Sequence, residues 1–503
     1  MVIDYASQLD YVWALLPEVA LTVWALILLM VDVAQRGDRS EPARTSLAWL
    51  TVLGILVAAA ANTWLITLRE AQPTGPIALD GFRIYTNYLF LGAALLFVPL
   101  SWKYLADERM RHGEVLVLIL LATVGMMFFA GTRDLMLIFL GLELMSVAVY
   151  VLTGVNRRDR RSAEAALKYF LLGAFSSAFF LFGIALVFGG AGSVNLTLIQ
   201  QAIGVDGLEA NLLITVGMAL LAVGFGFKVA AVPFHMWTPD AYEGAPAPVT
   251  AFMAAAVKAA AFAAFLRVFL VGFGGLYETW YPIIAFLAAA TMIVANLVAL
   301  SQDSVKRMLA YSSIAHAGYL LVALAAASTL GAASYLYYLV VYTLMTMGAF
   351  AVVYLVAHKH ELRLGISEYG GLGWTHPMLG VTMTVFLLSL AGVPPTGGFW
   401  GKFAILRAAV ERGLVPLAII LVLTSLVSYY YYLRVAWYMW FRDPGEGTAA
   451  VRPITPAVRT ALVAAAIAVI LIGVFPAWFL GVAQQSAVAL TRLSISAGVA
   501  GVP

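Results

Sequence analysis

Cysteine is absent from all 503 residues, which excludes disulfides, thiolate nucleophiles and cysteine-ligated iron–sulfur clusters in this chain. Charge is scarce too: 11% of residues are Asp, Glu, Lys or Arg, against about a quarter in an ordinary soluble domain. Only six histidines occur, and of these only His358 and His360 stand close together. Two positions apart in a polar stretch, they cannot share a helix face, so no metal site is expected there. No Walker-type phosphate loop is present, and Gly371-Leu-Gly373 follows no strand, so neither an ATP site nor a dinucleotide site is expected. The net charge of +3 is spread over short loops, leaving no basic face for nucleic acid. Asp4 and Asp10 precede the first apolar run, where a cleavable signal would carry positive charge, so the first helix is expected to be retained.

What fills the chain is apolar: 63% of residues are hydrophobic and the mean hydropathy is +0.94. The apolar residues fall in blocks of roughly 20, the length that crosses a hydrocarbon core of about 30 Å as a helix. No stretch alternates as a membrane β-strand would, so helices must satisfy the backbone in lipid. The fold class expected is an all-α integral membrane protein. It has about fourteen transmembrane helices, near 13–33, 45–68, 84–103, 114–130, 133–153, 163–188, 211–231, 248–271, 280–300, 304–327, 334–357, 378–412, 415–440 and 457–483.

Loop charge tests that count. Lys and Arg in the loops and at the span ends divide 17 to one side, among them Arg44, Lys103, Arg157 and Arg160, against 5 on the other, Arg69, Arg83, Arg133, Arg412 and Arg492. The positive-inside rule puts the first group in the cytoplasm and both termini outside. A missed or invented helix would scramble this asymmetry.

Two spans are interrupted. The seventh runs into Lys228-Val-Ala-Ala-Val-Pro233-Phe-His235-Met-Trp237-Thr-Pro239-Asp240, and the twelfth contains Gly392-Val-Pro394-Pro395-Thr-Gly397-Gly398-Phe-Trp-Gly401-Lys402. Proline removes a backbone donor and clashes one turn back, which is tolerated at membrane depth only where protein or a watery cavity serves the freed carbonyls. The breaks lie five spans apart, an odd number, so the second enters the membrane in the opposite sense. Paired interruptions of this kind point to two inverted five-helix repeats, each containing a broken helix. The expected organisation is an N-terminal three-helix unit at 1–113, a first repeat at 114–271, an inverted second repeat at 272–440 and a C-terminal helix at 441–503. Ordinary proline kinks are the simpler alternative.

Charges stand where lipid should exclude them. Glu143 is near the centre of the fifth span, Lys228 precedes the first break, Lys258 is in mid-span in the eighth, and Lys402 follows the second break. Four such groups cost on the order of 10 kcal/mol on insertion scales before any pairing. Snorkelling to the headgroups accounts for Lys168, Arg267 and Arg434 near span ends, but not for Glu143 or Lys258. A structural Glu143–Lys228 ion pair is the other bland reading. Desolvation disfavours the charged form of either group and an opposing charge restores it, so small helix movements can load or unload a proton. His316, among small and hydroxyl residues in the tenth span, suits a relay; His235 suits an entrance beside the first break. Glu18 and Asp303 read as structural.

The segment Gly226-Phe-Lys228-Val-Ala-Ala-Val-Pro233-Phe-His235-Met-Trp237-Thr-Pro239-Asp240-Ala-Tyr-Glu-Gly-Ala-Pro246 closely resembles the seventh-helix signature of the antiporter-like subunits of NADH–quinone oxidoreductase, respiratory complex I. These are related to the Mrp-type cation/proton antiporters. The resemblance runs over essentially the whole chain. The lysine at position 402, where the middle of the three bacterial subunits typically has glutamate, is similar to the smallest, N-type subunit; the largest carries a further lateral helix, which this chain is too short to include. The resemblance implies proton translocation, with Glu143 modulating Lys228, Lys258 as central relay, Lys402 releasing outward, and Lys168, His316 and His235 as further relay candidates. It implies no cofactor in this chain. Flavin mononucleotide, the iron–sulfur clusters and the quinone pocket would belong to partner subunits. The partners implied are neighbouring antiporter-like subunits, a peripheral redox arm and lipid, in a bacterial inner membrane. An Mrp-type sodium/proton antiporter subunit and the membrane subunit of a hydrogenase complex share this core and stay open as alternatives.

Overall fold

The computed structural model describes residues 1–35, 40–72, 74–108, 110, 112–205, 211–357, 365–444 and 451–496. His358 and His360 lie outside the described residues.

Among the described residues, thirteen helices are long and apolar enough to cross a membrane. In chain order these are α1 (Leu16–Ala34), α2 (Glu41–Thr67), α3 (Gly81–Asp107), α4 (His112–Gly131), α5 (Leu135–Thr153), α6 (Arg160–Ala191) and α7 (Leu212–Val229). After the short α8 (Trp237–Gly244) come α9 (Ala247–Gly272), α10 (Gly274–Leu300), α11 (Val305–Ala326) and α12 (Thr329–Val356). The expected twelfth span is two helices of 15 residues each, α13 (Pro377–Ala391) and α14 (Gly397–Glu411). Then follow α15 (Val415–Phe441) and α16 (Pro456–Val474), and finally α17 (Pro476–Ser496). Many of these helices start on a short polar residue whose side chain accepts from a backbone N–H two or three positions on. Asp80, Asp134, Asp159, Asn211, Ser304, Ser328 and Thr455 do this, and such caps satisfy donors that lipid could not.

The last expected span differs from the structure. The apolar pattern predicts one helix over 457–483, but α16 stops at Val474 and α17 starts at Pro476. Proline has no N–H to continue the ladder and suits the first turn of a new helix. α17 then lies along α12 and α3.

Burial identifies the centre. Every residue of α9 is buried, and α11 and α12 are nearly so, whereas α6 turns Phe175 and Phe182 outward. A helix apolar on all sides belongs in the middle of a membrane bundle. Around that centre, α4 pairs with α5 and α6 with α7; later in the chain, α10 pairs with α11 and α12 with α13. The two breaks also share a plan. Each first half ends on a left-handed residue, Ala230 (φ 61°) or Gly392 (φ 91°), with a proline three positions on, Pro233 or Pro395. Both patterns are consistent with two repeated five-span units.

Buried ion pairs tie one end of the bundle together. Arg83 meets Glu18 at 2.7 Å, Arg133 meets Glu70 at 2.7 Å, and Arg267 meets Asp80 at 2.7 Å. Arg267 therefore does not snorkel, contrary to the sequence expectation. It is fully buried, and its Nε donates to the carbonyl of Ala130 at 2.8 Å. The reason is geometric: Asp80, the N-cap of α3, presents a carboxylate at that depth, which a composition-based reading of α9 alone cannot see.

Candidate functional site

Four lysines among the described residues are buried: Lys306 is held by the backbone carbonyls of Glu243 and Ala245 at the start of α11, while Lys228, Lys258 and Lys402 stand inside the bundle with 4%, 2% and 6% of their surface exposed. Among the described residues none of the three is paired with a carboxylate. The Lys228 ammonium donates to the Ser146 hydroxyl at 2.7 Å and to the Tyr150 hydroxyl at 3.1 Å, both on α5. Lys258 donates to the hydroxyl and carbonyl of Ser313 on α11, at 2.6 and 3.0 Å. Lys402 donates to the carbonyl of Ala391 at 2.9 Å. That carbonyl closes α13 at the break, and the break leaves it without its helical donor. Thus the second interruption supplies the acceptor for the lysine that follows it.

The contrast with the arginines decides what the lysines can do. A guanidinium stays charged in a protein, whereas an amine can give up its proton. The buried arginines at the bundle end have carboxylates; these amines have neutral acceptors. Breaking a buried charge pair is costly, so the arginine pairs are fixtures, while an amine on hydroxyls can be loaded or unloaded without stranding a partner charge.

Aromatic and hydroxyl side chains link the lysines into one line. Lys228 lies 5.7 Å from the ring centroid of Tyr169, which stacks on Trp237 at 4.3 Å; Trp237 meets Tyr242 at 6.0 Å, and Lys258 lies 5.9 Å from the Tyr242 ring. Beyond Lys258, His316 sits one turn along α11 from Ser313. Its Nδ1 is 2.6 Å from the Tyr338 hydroxyl and its Nε2 is 3.0 Å from the Tyr432 hydroxyl. Tyr319 closes the line, 5.3 Å from His316 between ring centroids and 4.8 Å from the Lys402 ammonium. A π-helical turn, Met253–Val257, immediately precedes Lys258, the kind of local irregularity that marks functional positions in helices.

Glu143 does not pair with Lys228, which sets aside the structural ion pair that is the alternative reading. It is half-buried on α5 and accepts from the Ser177 hydroxyl of α6. Ser146 and Tyr150 follow it by three and seven positions, so all three share a helix face, and Lys228 docks one turn from Glu143 on that face. The fifth and seventh spans are thus brought together, through hydroxyls and not through an ion pair. Lys168 stands apart from the line. It bonds Glu164 at 2.7 Å and Asp240 at 3.0 Å, at the mouth of a cavity of about 180 Å³ lined also by Arg161 and Glu243. His235 lies half-buried in the turn between α7 and α8, with no hydrogen bond to any of the lysines among the described residues. Arg434 pairs with exposed Asp303 at 2.9 Å, a surface role.

Sequence reasoning missed Ser146, Tyr150, Ser313, Tyr338 and Tyr432. The spacing of Ser146 and Tyr150 from Glu143 was a usable signal. Tyr432 had none, since it is one of four consecutive tyrosines, Tyr429 to Tyr432.

Comparison with known proteins supplies the frame for this geometry. Residues 132–428, more than half of the chain, match the family described as NADH:quinone oxidoreductase/Mrp antiporter, TM. The chain is 47% identical to NADH-quinone oxidoreductase subunit N of Trichlorobacter lovleyi over 474 residues, covering 94% of this chain and 96% of the relative. It is 43% identical to NADH-quinone oxidoreductase subunit N 2 of Rhizobium meliloti, covering 96% and 99%. Among solved structures, a chain of respiratory complex I from Thermus thermophilus with bound aureothin superposes with a TM-score of 0.80 at 37% identity, covering 93% of this chain and all of that one. A chain of the Mrp complex from Dietzia sp. gives a TM-score of 0.81 at 22% identity, covering 95% and 99%, a likeness of fold alone.

Proposed function

The chain belongs to the NADH:quinone oxidoreductase/Mrp antiporter family of membrane subunits, and from that premise we propose that it moves protons through Lys228, Lys258 and Lys402 as the N-type subunit of a NADH–quinone oxidoreductase. The observation that carries this reading is the set of three buried amines held by hydroxyls and a carbonyl, in a chain whose buried arginines Arg83, Arg133 and Arg267 all have carboxylates. Glu143 sets the field one turn from the site where Lys228 docks. His316 joins Lys258 to Lys402, and Lys168 and His235 belong to an entrance at the end carrying Asp240 and Glu243.

The redox chemistry lies in partners. Flavin and iron–sulfur subunits of a peripheral arm oxidise NADH and reduce quinone, and neighbouring antiporter-like subunits flank this one in a bacterial inner membrane, with lipid around them. The chain's own share is to hold and pass protons. Loop charge supports an orientation with both termini outside, and the paired breaks support repeat units at 114–271 and 272–440.

The test is Lys258→Met in the assembled complex reconstituted into vesicles. Protons pumped per NADH should fall while assembly stays normal. Full pumping with normal assembly would overturn the assignment.

A further inference from the structure

Between Lys258 and Lys402 the lysines leave a gap, and four other side chains fill it. Ser313 of α11 holds Lys258, and its neighbour Ser312 pairs with the hydroxyl of Tyr432, on α15. The same Tyr432 hydroxyl is 3.0 Å from Nε2 of His316. On the other side of the imidazole, Nδ1 is 2.6 Å from the hydroxyl of Tyr338, on α12. The Tyr338 ring lies against Gly401, the residue before Lys402. All four side chains are buried.

Counting protons gives this chain a direction. A hydroxyl has one proton to donate and lone pairs to accept with, and a neutral imidazole donates from one nitrogen and accepts at the other. If Tyr432 donates to Nε2, then Nδ1 carries the ring proton and donates to Tyr338, while Ser312 donates to Tyr432. If any one bond reverses, all of them must. The His316 ring is enclosed by the rings of Tyr319, Tyr338 and Tyr342, with centroids at 5.3, 5.8 and 5.4 Å, which holds both nitrogens on their partners.

We propose that Ser312, Tyr432, His316 and Tyr338 form a hydrogen-bonded proton wire between the Lys258 and Lys402 sides of the site, with Tyr432 itself carrying the proton. The proposal rests on the proton-translocating reading above. In one passage Ser312 gains a proton from the Lys258 side and gives its own to the Tyr432 oxygen. Tyr432 gives its proton to Nε2, the Nδ1 proton passes to the Tyr338 oxygen, and the Tyr338 proton leaves toward Lys402. Each transfer forms one O–H or N–H bond and breaks one. One proton enters, one leaves, and no charge stays behind. The wire is then left pointing the other way, with His316 in its other tautomer, and a second proton cannot follow until the chain resets. Such a wire passes protons singly and does not leak continuously.

The test uses the assembled complex in vesicles. Tyr432→Phe keeps the ring and removes only the hydroxyl. The proton step should slow by about 10²–10⁴-fold, the range for losing a positioned proton-transfer group, read as a loss of protons pumped per NADH. Ser312→Ala breaks the same wire one link earlier and should give the same loss; it supplies the measurement if the Tyr432 variant does not assemble. Members of one unit are not additive, so the double variant should lose no more than either single. Additive losses, or full pumping in both singles, would overturn the wire. Lys258→Met measured alongside separates the two levels. If it loses pumping while the wire variants keep theirs, the wire fails and the lysine pathway stands; if it too keeps full pumping, the proton reading itself fails.

Discussion

Lys228 bonds Ser146 at 2.7 Å, while Glu143, one turn away on the same helix face, is held by Ser177. Each is held by a hydroxyl, and neither is the other's hydrogen-bond partner. On the proposed reading, Glu143 acts on Lys228 through space and not as one half of a locked ion pair.

Glu143→Gln should consequently change stability little. Removing one partner of a direct buried pair costs about 3–5 kcal/mol; here the loss should stay within about 1 kcal/mol, as for a weakly coupled charge. Pumping should still fall, because the field at Lys228 changes. Thermal unfolding of the purified complex, together with proton uptake per NADH, checks both halves. A large loss of stability with normal pumping in the surviving complex would reverse the assignment of roles.

Arg267 behaves in the opposite way. Its guanidinium holds the Asp80 carboxylate at 2.7 and 3.0 Å and the Ala130 carbonyl at 2.8 Å. Arg267→Met strands a buried carboxylate and should cost about 3–5 kcal/mol. The expected phenotype is poor assembly and a lowered unfolding temperature, with normal pumping per NADH in whatever complex survives. Retained assembly would show that Arg133, 3.6 Å from Asp80, suffices alone.

The same carboxylate gives a pH dependence. Burial pushes the Asp80 carboxyl up, but the Arg267 guanidinium, with Arg133 behind it, pulls it further down, to a net value well below the usual carboxylate range. A carboxylate depressed in the folded state contributes stability that is fully present above its unfolded pKa of about 4 and is lost as pH falls below that. Acidification below about pH 4 should therefore loosen the end of the bundle where α3 and α9 meet. Asp80→Asn should be less stable at neutral pH and show a flatter profile in that acidic window. Unfolding temperatures across pH for both proteins check the sign.

How much of this could be read from the chain depends on distance along it. The spans were legible because apolar length is a local property, and the breaks because Pro233, Pro394 and Pro395 announce themselves. The candidates Lys228, Lys258 and Lys402 were legible because each is a charge where insertion is costly. What they touch was not. Ser146 donates nothing to hydropathy, and Ser312 meets Tyr432 across 120 positions. Tyr430 is 61% exposed while Tyr432 is fully buried, and only the packing of α15 decides which of two near neighbours faces inward. Arg267 was misread for the same reason: its carboxylate partner lies 187 positions away.

The left-handed residues at the two breaks offer the last test, because only one of them is glycine. Ala230 adopts φ 61° and Gly392 φ 91°, and a Cβ in that region costs roughly 1–2 kcal/mol. Ala230→Gly should relieve the cost and leave the fold unchanged or slightly more stable. Gly392→Ala should impose it, and should do more. A Cβ at Gly392 would come within 3.0 Å of the Lys402 Cδ and 3.6 Å of its ammonium, so the lysine stem must shift away from the Ala391 carbonyl that now receives it. Gly392→Ala is thus expected to lower protons pumped per NADH beyond what its stability loss explains, with the complex still assembled at low temperature. If pumping instead tracks assembly alone, the Ala391 carbonyl is a resting place for Lys402 and not part of how it releases a proton. The break would then position the lysine without tuning it.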